Sequence, residues 1–181
     1  EVGGIPREWI KRMKACLRHL APVFNTNRMV AQYTSRLYVP AHTRGQLLAQ
    51  DNLQRSARLA HAKDGLRHNW HSVKVVAVNE SRQGPHRVGD QIMIEAIVEL
   101  GSVAPEHIRV QLYSGPVNAE RRIEVAHAIE MSHTREVAPG KPLFTGELKC
   151  QLSGRHGYAV RLVPGISDLA TSFEPGLITW G

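Results

Sequence analysis

The apolar positions of this chain follow two periods in turn, helical over roughly the first seventy residues and alternating after that. Trp9, Met13, Cys16, Leu17 and Leu20 fall on one helical face, with Lys11, Arg12, Lys14 and Arg18 on the rest. Pro6 suits a first helical turn, where its missing N–H would have no partner, and Glu8 meets the positive end of the helix dipole. Pro22 cannot continue that helix. Asn25 or Thr26 is the expected N-cap of a second helix, which carries Met29, Val30, Tyr33 and Leu37 on its apolar face and ends at Pro40. A third helix is expected over residues 45–66, with Leu47, Leu48, Leu53, Ala57 and Ala60 as its candidate buried positions. Its apolar stripe is thin, which suits a surface or a place between domains.

From Trp70 onward the side chains alternate. Val73, Val75 and Ala77 open the pattern, and Ile92, Ile94, Ala96, Val98 and Leu100 continue it. Ile108, Val110 and Leu112 alternate with Arg109 and Gln111, and Ile123, Val125, His127, Ile129 and Met131 alternate with Glu124 and Glu130. Phe144, Leu148, Cys150 and Leu152 oppose Glu147, Lys149 and Gln151, while Tyr158, Val160 and Leu162 flank Arg161. One apolar and one charged face per strand is what half-buried antiparallel sheets require. Turn signals separate the strands: Ser81-Arg-Gln-Gly-Pro, Val88-Gly-Asp, Ala104-Pro-Glu, Ala138-Pro-Gly and Ser153-Gly-Arg-His-Gly. About six or seven short strands at this spacing predict an immunoglobulin-like β-sandwich. Tyr158 fits either a tyrosine corner or a plain core position. The fold class is therefore α+β, a helical segment at 1–69 followed by a β-sandwich domain at 70–181.

Charge sharpens this division. The chain of 181 residues has a formal net charge of +7. Residues 1–71 carry 12 Lys/Arg against 4 Asp/Glu, a balance of +8, whereas residues 72–181 carry 11 against 12, a balance of −1. A basic helical segment can bind nucleic acid, dock on an acidic neighbouring domain or simply be solvated. No helix-turn-helix, RNP-type or zinc-finger pattern supports nucleic acid. No apolar run approaches the ~18 residues of a membrane span. With only Cys16 and Cys150, far apart, a disulfide framework is not expected. Both are read as reduced core thiols of a cytoplasmic protein. The start, Glu1-Val-Gly-Gly, lacks an initiator Met and a signal pattern, and a helix begins almost at once, as in a fragment.

No motif for chemistry survives inspection. His68-Asn-Trp-His71 with His61 is the best histidine cluster, but it lies where helix gives way to strand and has no companion carboxylate or cysteine pair. His127 falls on the apolar face of a strand and reads as a hydrogen-bonded core residue. Gly140-Lys141 is followed by Pro142 where a phosphate loop needs Ser or Thr, so it is a turn. Ser153-Gly-Arg-His-Gly is no nucleophile elbow. Asn79-Glu-Ser81 matches a glycosylation sequon that has no meaning in a cytoplasmic protein. No catalytic, cofactor-binding or metal residue is assigned.

The run from Pro6-Arg-Glu-Trp9 through Met13-Lys14, Phe24-x-x-x-Arg28 and Tyr33 to Tyr38-Val-Pro40 resembles the closing segment of the catalytic domain in the α-glucan (glycogen, starch and maltodextrin) phosphorylase family. The resemblance is strongest over residues 6–41 and extends more weakly to Phe173-Glu-Pro-Gly-Leu-Ile-Thr-Trp180, which is similar to the extra C-terminal domain of the bacterial and archaeal branch. It implies a parent glycosyltransferase with two Rossmann-like domains of the GT-B type. That enzyme would cleave α-1,4-glucans with inorganic phosphate to α-glucose 1-phosphate, using pyridoxal 5′-phosphate on a lysine. The family's cofactor segment, Lys-Phe-x-x-Asn-Gly-like, has no counterpart here, since Lys11, Lys14, Lys63, Lys74, Lys141 and Lys149 stand in other contexts.

The resulting expectation is a non-catalytic C-terminal fragment of such an enzyme. Its partners would be the upstream catalytic domains and, for the parent, α-glucan. Self-association through residues 6–40 is expected of the isolated chain, and neither nucleic acid nor membrane is an expected partner. The alternative is an autonomous β-sandwich that binds carbohydrate or protein behind a basic helical leader. Strand aromatics are expected to point mostly inward, and an outward pair of Trp or Tyr on one sheet would favour that alternative.

Overall fold

The computed structural model describes residues 4–82 and 84–181. The chain forms two compact units, Glu1–Ser56 and Ala57–Gly181.

In the first unit, α1 (Arg7–His19) opens on the carbonyl of Pro6, which accepts from the Ile10 N–H at 3.0 Å. Asn25 caps α2 (Thr26–Tyr33): its Oδ1 accepts from the Arg28 N–H at 2.8 Å, and its Nδ2 donates to the Pro22 carbonyl at 2.8 Å. That choice between Asn25 and Thr26 follows from geometry, because Asn25 has the extended backbone an N-cap needs. Pro40 does not end the helix. A π-helical turn at Thr34–Tyr38 leads directly into α3 (Val39–Leu48), and the Val39 N–H reaches back to the Thr34 carbonyl. A proline inside a helix lacks a donor and crowds the carbonyl four residues back; a wider turn just before it absorbs both defects.

The helix expected over residues 45–66 is broken instead at 49–53. Asp51, Asn52 and Leu53 take φ values of 54°, 54° and 66°. Asp and Asn tolerate this left-handed region through local hydrogen bonding, and Leu53 is carried with them to an exposed position. Helix α4 (Gln54–Asn69) then buries Leu59 and Leu66, while Ala57 and Ala60 stay exposed.

Among the described residues the second unit holds eight strands. β1 (Lys74–Glu80), β2 (Gln91–Glu99), β6 (Lys141–Lys149) and β5 (Ser132–Ala138) pair in the order β1-β2-β6-β5. β4 (His127–Glu130), β3 (Ile108–Pro116), β7 (His156–Pro164) and β8 (Thr179–Trp180) pair in the order β4-β3-β7-β8. Every pairing is antiparallel. One core joins the sheets: Ile92, Ile94, Ala96 and Val98 from the first meet Val110, Leu112, Val160 and Leu162 from the second, with Leu66 and Trp70 added from outside the strands. These are the inward positions that strict alternation selects.

Alternation misplaces four features. In β1 a bulge at Val76 leaves that residue exposed, so Val78 rather than Ala77 joins the core and Glu80 follows on the same face. The stretch 123–131 is not one strand. Ile123 makes only an isolated bridge to Val117, Val125 is exposed, and the chain leaves one sheet for the other at buried Met131, whose N–H donates to the Val110 carbonyl at 2.8 Å. Gly146 makes room for this crossing, since a Cβ there would lie 2.9 Å from Met131 Cγ. His127, placed inward by alternation, is exposed at the end of its short edge strand. β6 stops at Lys149, so Leu152 is exposed in the following loop. Cys16 also departs from the expected burial: it is exposed, whereas Cys150 is half-buried against the core.

Candidate functional site

Two surfaces carry organised side chains. The first belongs to the helical unit, where no residue of α1, α2 or α3 is buried. Trp9 is 61% exposed and Phe24 73%, and Met13, Leu17, Leu20, Val30, Tyr33, Leu37 and Tyr38 are open as well. This is the face that helical periodicity assigns to packing. The spacing Phe24-x-x-x-Arg28 has a local meaning: one turn of chain sets the Arg28 guanidinium 5.9 Å from the Phe24 ring centroid and lets its Nη1 donate to Gln32 Oε1 at 3.1 Å. Arg28 Nε is covered and has no hydrogen-bond partner among the described residues. Tyr33 and Tyr38 lie 6.4 Å apart, centroid to centroid, across the π-helical turn.

The second surface is the outer face of the sheet β4-β3-β7-β8. Register aligns Glu130 with Gln111, Gln111 with Arg161, and Arg161 with Trp180, so one residue from each strand stands in a single row. Gln111 Nε2 donates to Glu130 Oε1 at 2.7 Å, and Arg161 Nε donates to Gln111 Oε1 at 2.8 Å. The Arg161 guanidinium lies 4.9 Å from the Tyr113 ring centroid, 5.2 Å from Phe173 and 5.6 Å from Trp180. Tyr113 and Trp180 meet edge to face at 5.2 Å. Thus Tyr113 and Trp180 form an outward pair of aromatics on one sheet, against the expectation that strand aromatics point inward. The outward parity of Gln111 and Arg161 is legible in the sequence. The ring set is not, because Trp180 sits on a strand of two residues and Phe173 on the loop before it.

Between the sheets, Tyr158 donates its hydroxyl to Glu80 Oε2 at 3.4 Å. Burial, and then the charge and hydrogen bond of Glu80, push the phenol above its ordinary value of 10.0. The hydroxyl meets a carboxylate, whereas a tyrosine corner uses a backbone group. His61, His68 and His71 are exposed; His68 Nδ1 pairs with the Asp64 carbonyl at 2.8 Å and His71 Nδ1 with the His68 carbonyl at 2.9 Å. Among the described residues no three His, Cys, Asp or Glu side chains converge on a metal-sized site. Gly140 has φ 70° in the β5–β6 turn, and its N–H donates to Glu136 Oε1 at 3.3 Å. Among the described residues no helix is long and apolar enough to cross a membrane.

Residues 70–181, the two-sheet part of the chain, match the glycogen phosphorylase C-terminal domain. The chain belongs to that family. Its relatives include a maltodextrin phosphorylase from Thermococcus litoralis, 29% identical over 175 residues that make up 95% of this chain and 20% of that protein. A glycogen phosphorylase from Mycobacterium tuberculosis is 28% identical over 177 residues, 97% of this chain and 20% of that protein. These alignments take in the helices ahead of the family match, and the chain spans about a fifth of the length of the curated relatives it matches. Among solved structures, Pseudomonas fluorescens alkylpurine DNA glycosylase AlkC bound to DNA overlays 66% of this chain and 38% of its own at TM-score 0.36 and 14% identity, too loosely to carry an argument.

Proposed function

We propose that this chain is the C-terminal part of a longer α-glucan phosphorylase, a glycosyltransferase that uses inorganic phosphate to release α-glucose 1-phosphate from α-1,4-glucans. One observation carries the reading: similarity to named phosphorylases runs through 95–97% of this chain while covering a fifth of theirs. The open apolar face of the helical unit supports it. Trp9, Leu17, Phe24 and Tyr33 stand exposed at packing positions. The upstream catalytic domains would cover that face, and the +8 balance of residues 1–71 would meet acidic neighbours there.

On this reading residues 1–69 come from the end of the second Rossmann-like domain of a GT-B enzyme, with α4 running on to place Leu66 in the core of the sheets, and residues 70–181 form an immunoglobulin-like domain. The order β1-β2-β6-β5 facing β4-β3-β7-β8 supports the latter, since it places strands 1, 2, 5 and 6 in one sheet and 3, 4, 7 and 8 in the other. The parent's pyridoxal 5′-phosphate would supply proton transfer to and from phosphate, and it would be held upstream. The lysines here do not fit it: none stands in the family's cofactor segment, and Lys63 and Lys149 lie against Glu174 and Glu147. The enzyme would work in the cytoplasm on soluble glucan.

The test is to assay the parent protein, and this chain alone, for glucose 1-phosphate from maltodextrin plus phosphate. The parent is expected to be active and the chain inert. A parent without phosphorolysis, or a stoichiometric borohydride-reducible cofactor adduct on a lysine of this chain, contradicts the reading.

A further inference from the structure

The outer face of the sheet β4-β3-β7-β8 has no place in the chemistry proposed above, yet it is more ordered than a solvated sheet face needs to be. A charged row of this kind usually consists of independent side chains. Here Glu130, Gln111 and Arg161 are linked by hydrogen bonds of 2.7 and 2.8 Å, and the guanidinium ends among three rings. Two of those rings remain half open, Trp180 at 49% exposure and Phe173 at 53%.

We propose that Trp180, Phe173 and Tyr113, with the polar row Arg161, Gln111 and Glu130, form a surface site for an α-glucan segment. This rests on the phosphorylase reading for the identity of the polymer. The chemistry of the surface comes from the structure. A glucose ring has an apolar C–H face and an equatorial rim of hydroxyls. Open aromatic rings take the face, and planar amide, carboxylate and guanidinium groups beside them take the rim as donors and acceptors. Arg161 is a positioning residue: its contact with all three rings and with Gln111 fixes their arrangement before the sugar arrives, which lowers the entropy lost on binding.

Charge argues against the rival polymers. Residues 72–181 have a balance of −1; Glu130 offsets Arg161 in the row, and Arg109, two residues along β3 on the same face, adds only one cation. Nucleic acid or an anionic lipid surface would need an excess of cations here. A neutral polyhydroxylated chain does not. Because the surface is an open sheet face, it suits the side of a long polymer chain rather than a single sugar enclosed in a cavity. It would keep a branched, many-ended substrate near the enzyme between cleavage events.

The experiment is native affinity electrophoresis of the 181-residue chain in gels containing glycogen or soluble starch, with a soluble β-1,4-glucan gel as comparison. The chain is expected to be retarded by the α-glucans only. Trp180→Ala and Phe173→Ala are each expected to weaken retardation about tenfold, the equivalent of about 1.4 kcal/mol. Both lie in the last strand or the loop before it, and each variant is scored once its unfolding transition matches that of the unaltered chain. Arg161→Ala should weaken binding while Arg161→Lys fails to restore it, because an ammonium cannot lie flat among three rings. Met93→Ala, exposed on the other sheet, should change nothing. Absence of retardation overturns the proposal, and so does equal retardation by the β-glucan or by the folded Trp180→Ala and Phe173→Ala variants. Because these gels report binding without phosphorolysis, their failure is separable from failure of the parent's activity assay.

Discussion

Lys63 Nζ stands 2.8 Å from Glu174 Oε1, and this partly covered pair ties α4 to the loop before β8 across 111 residues of chain. Glu174 also accepts the Ala170 N–H through Oε2 at 2.7 Å, so the same carboxylate orders the loop that carries Phe173. Together with Leu66 and Trp70 in the core, the pair makes the second half of α4 part of the two-sheet unit, although the family match begins only at residue 70.

A fragment of residues 70–181 is therefore expected to fold cooperatively yet to be less stable than one of residues 57–181. Loss of Leu66 from the core alone corresponds to about 2–5 kcal/mol. Denaturant midpoints of the two fragments measure this. Equal midpoints would mean that α4 adds nothing to the sheets.

Two single substitutions separate packing from exposure on the same helical pattern. Leu66→Ala is expected to cost about 2–5 kcal/mol, whereas Leu53→Ala, at an exposed left-handed position, should fall within about 0.5 kcal/mol of the unaltered chain. Glu174→Gln should lie between them, at about 1 kcal/mol, because its partner is only partly shielded from water. Thermal and denaturant unfolding give all three values.

Tyr158 is expected to make the stability of the two-sheet unit depend on pH in the alkaline range. In the unfolded chain the phenol loses its proton near its ordinary value of 10.0, but in the folded chain burial and Glu80 hold the proton to higher pH. Unfolding thus releases a proton in that window, and stability is expected to fall as pH rises through 10 towards the raised value. Tyr158→Phe removes the titrating group, so the difference in stability between the two proteins should shrink above pH 10. A difference that stays constant with pH would contradict the assignment.

The open helical face is expected to make the isolated chain self-associate. Sedimentation of the chain should show concentration-dependent oligomers, and Trp9→Asp with Leu17→Asp should shift association to at least about tenfold higher concentration. A chain that stays monomeric with or without these substitutions would overturn this expectation.

The inward residues of β2, β3 and β7 were legible because each follows strict alternation over five or more positions. Val76 shows where such reading stops. One extra residue in β1 moves Val78 and Glu80 to the core side, and nothing in the run Val75-Val76-Ala77-Val78 marks the bulge. Pro40 and the segment 49–53 depart from the helical pattern for a related reason. A proline normally stops a helix and a leucine normally continues one, yet a wide turn admitted the first and Asp51-Asn52 interrupted the second. The aromatic row was half legible: alternation turned Gln111 and Arg161 outward, but only sheet order brings Glu130 and Trp180 into line with them.

Residues 6–40 are proposed as one side of an interface with the upstream part of the parent. Amide hydrogen exchange across these residues, compared between the 181-residue chain and the intact parent protein, tests it most directly. Strong added protection is expected over α1, α2 and the π-helical turn in the parent, with β2, β3, β6 and β7 exchanging equally slowly in both. Equal exchange of residues 6–40 in the two proteins would contradict it.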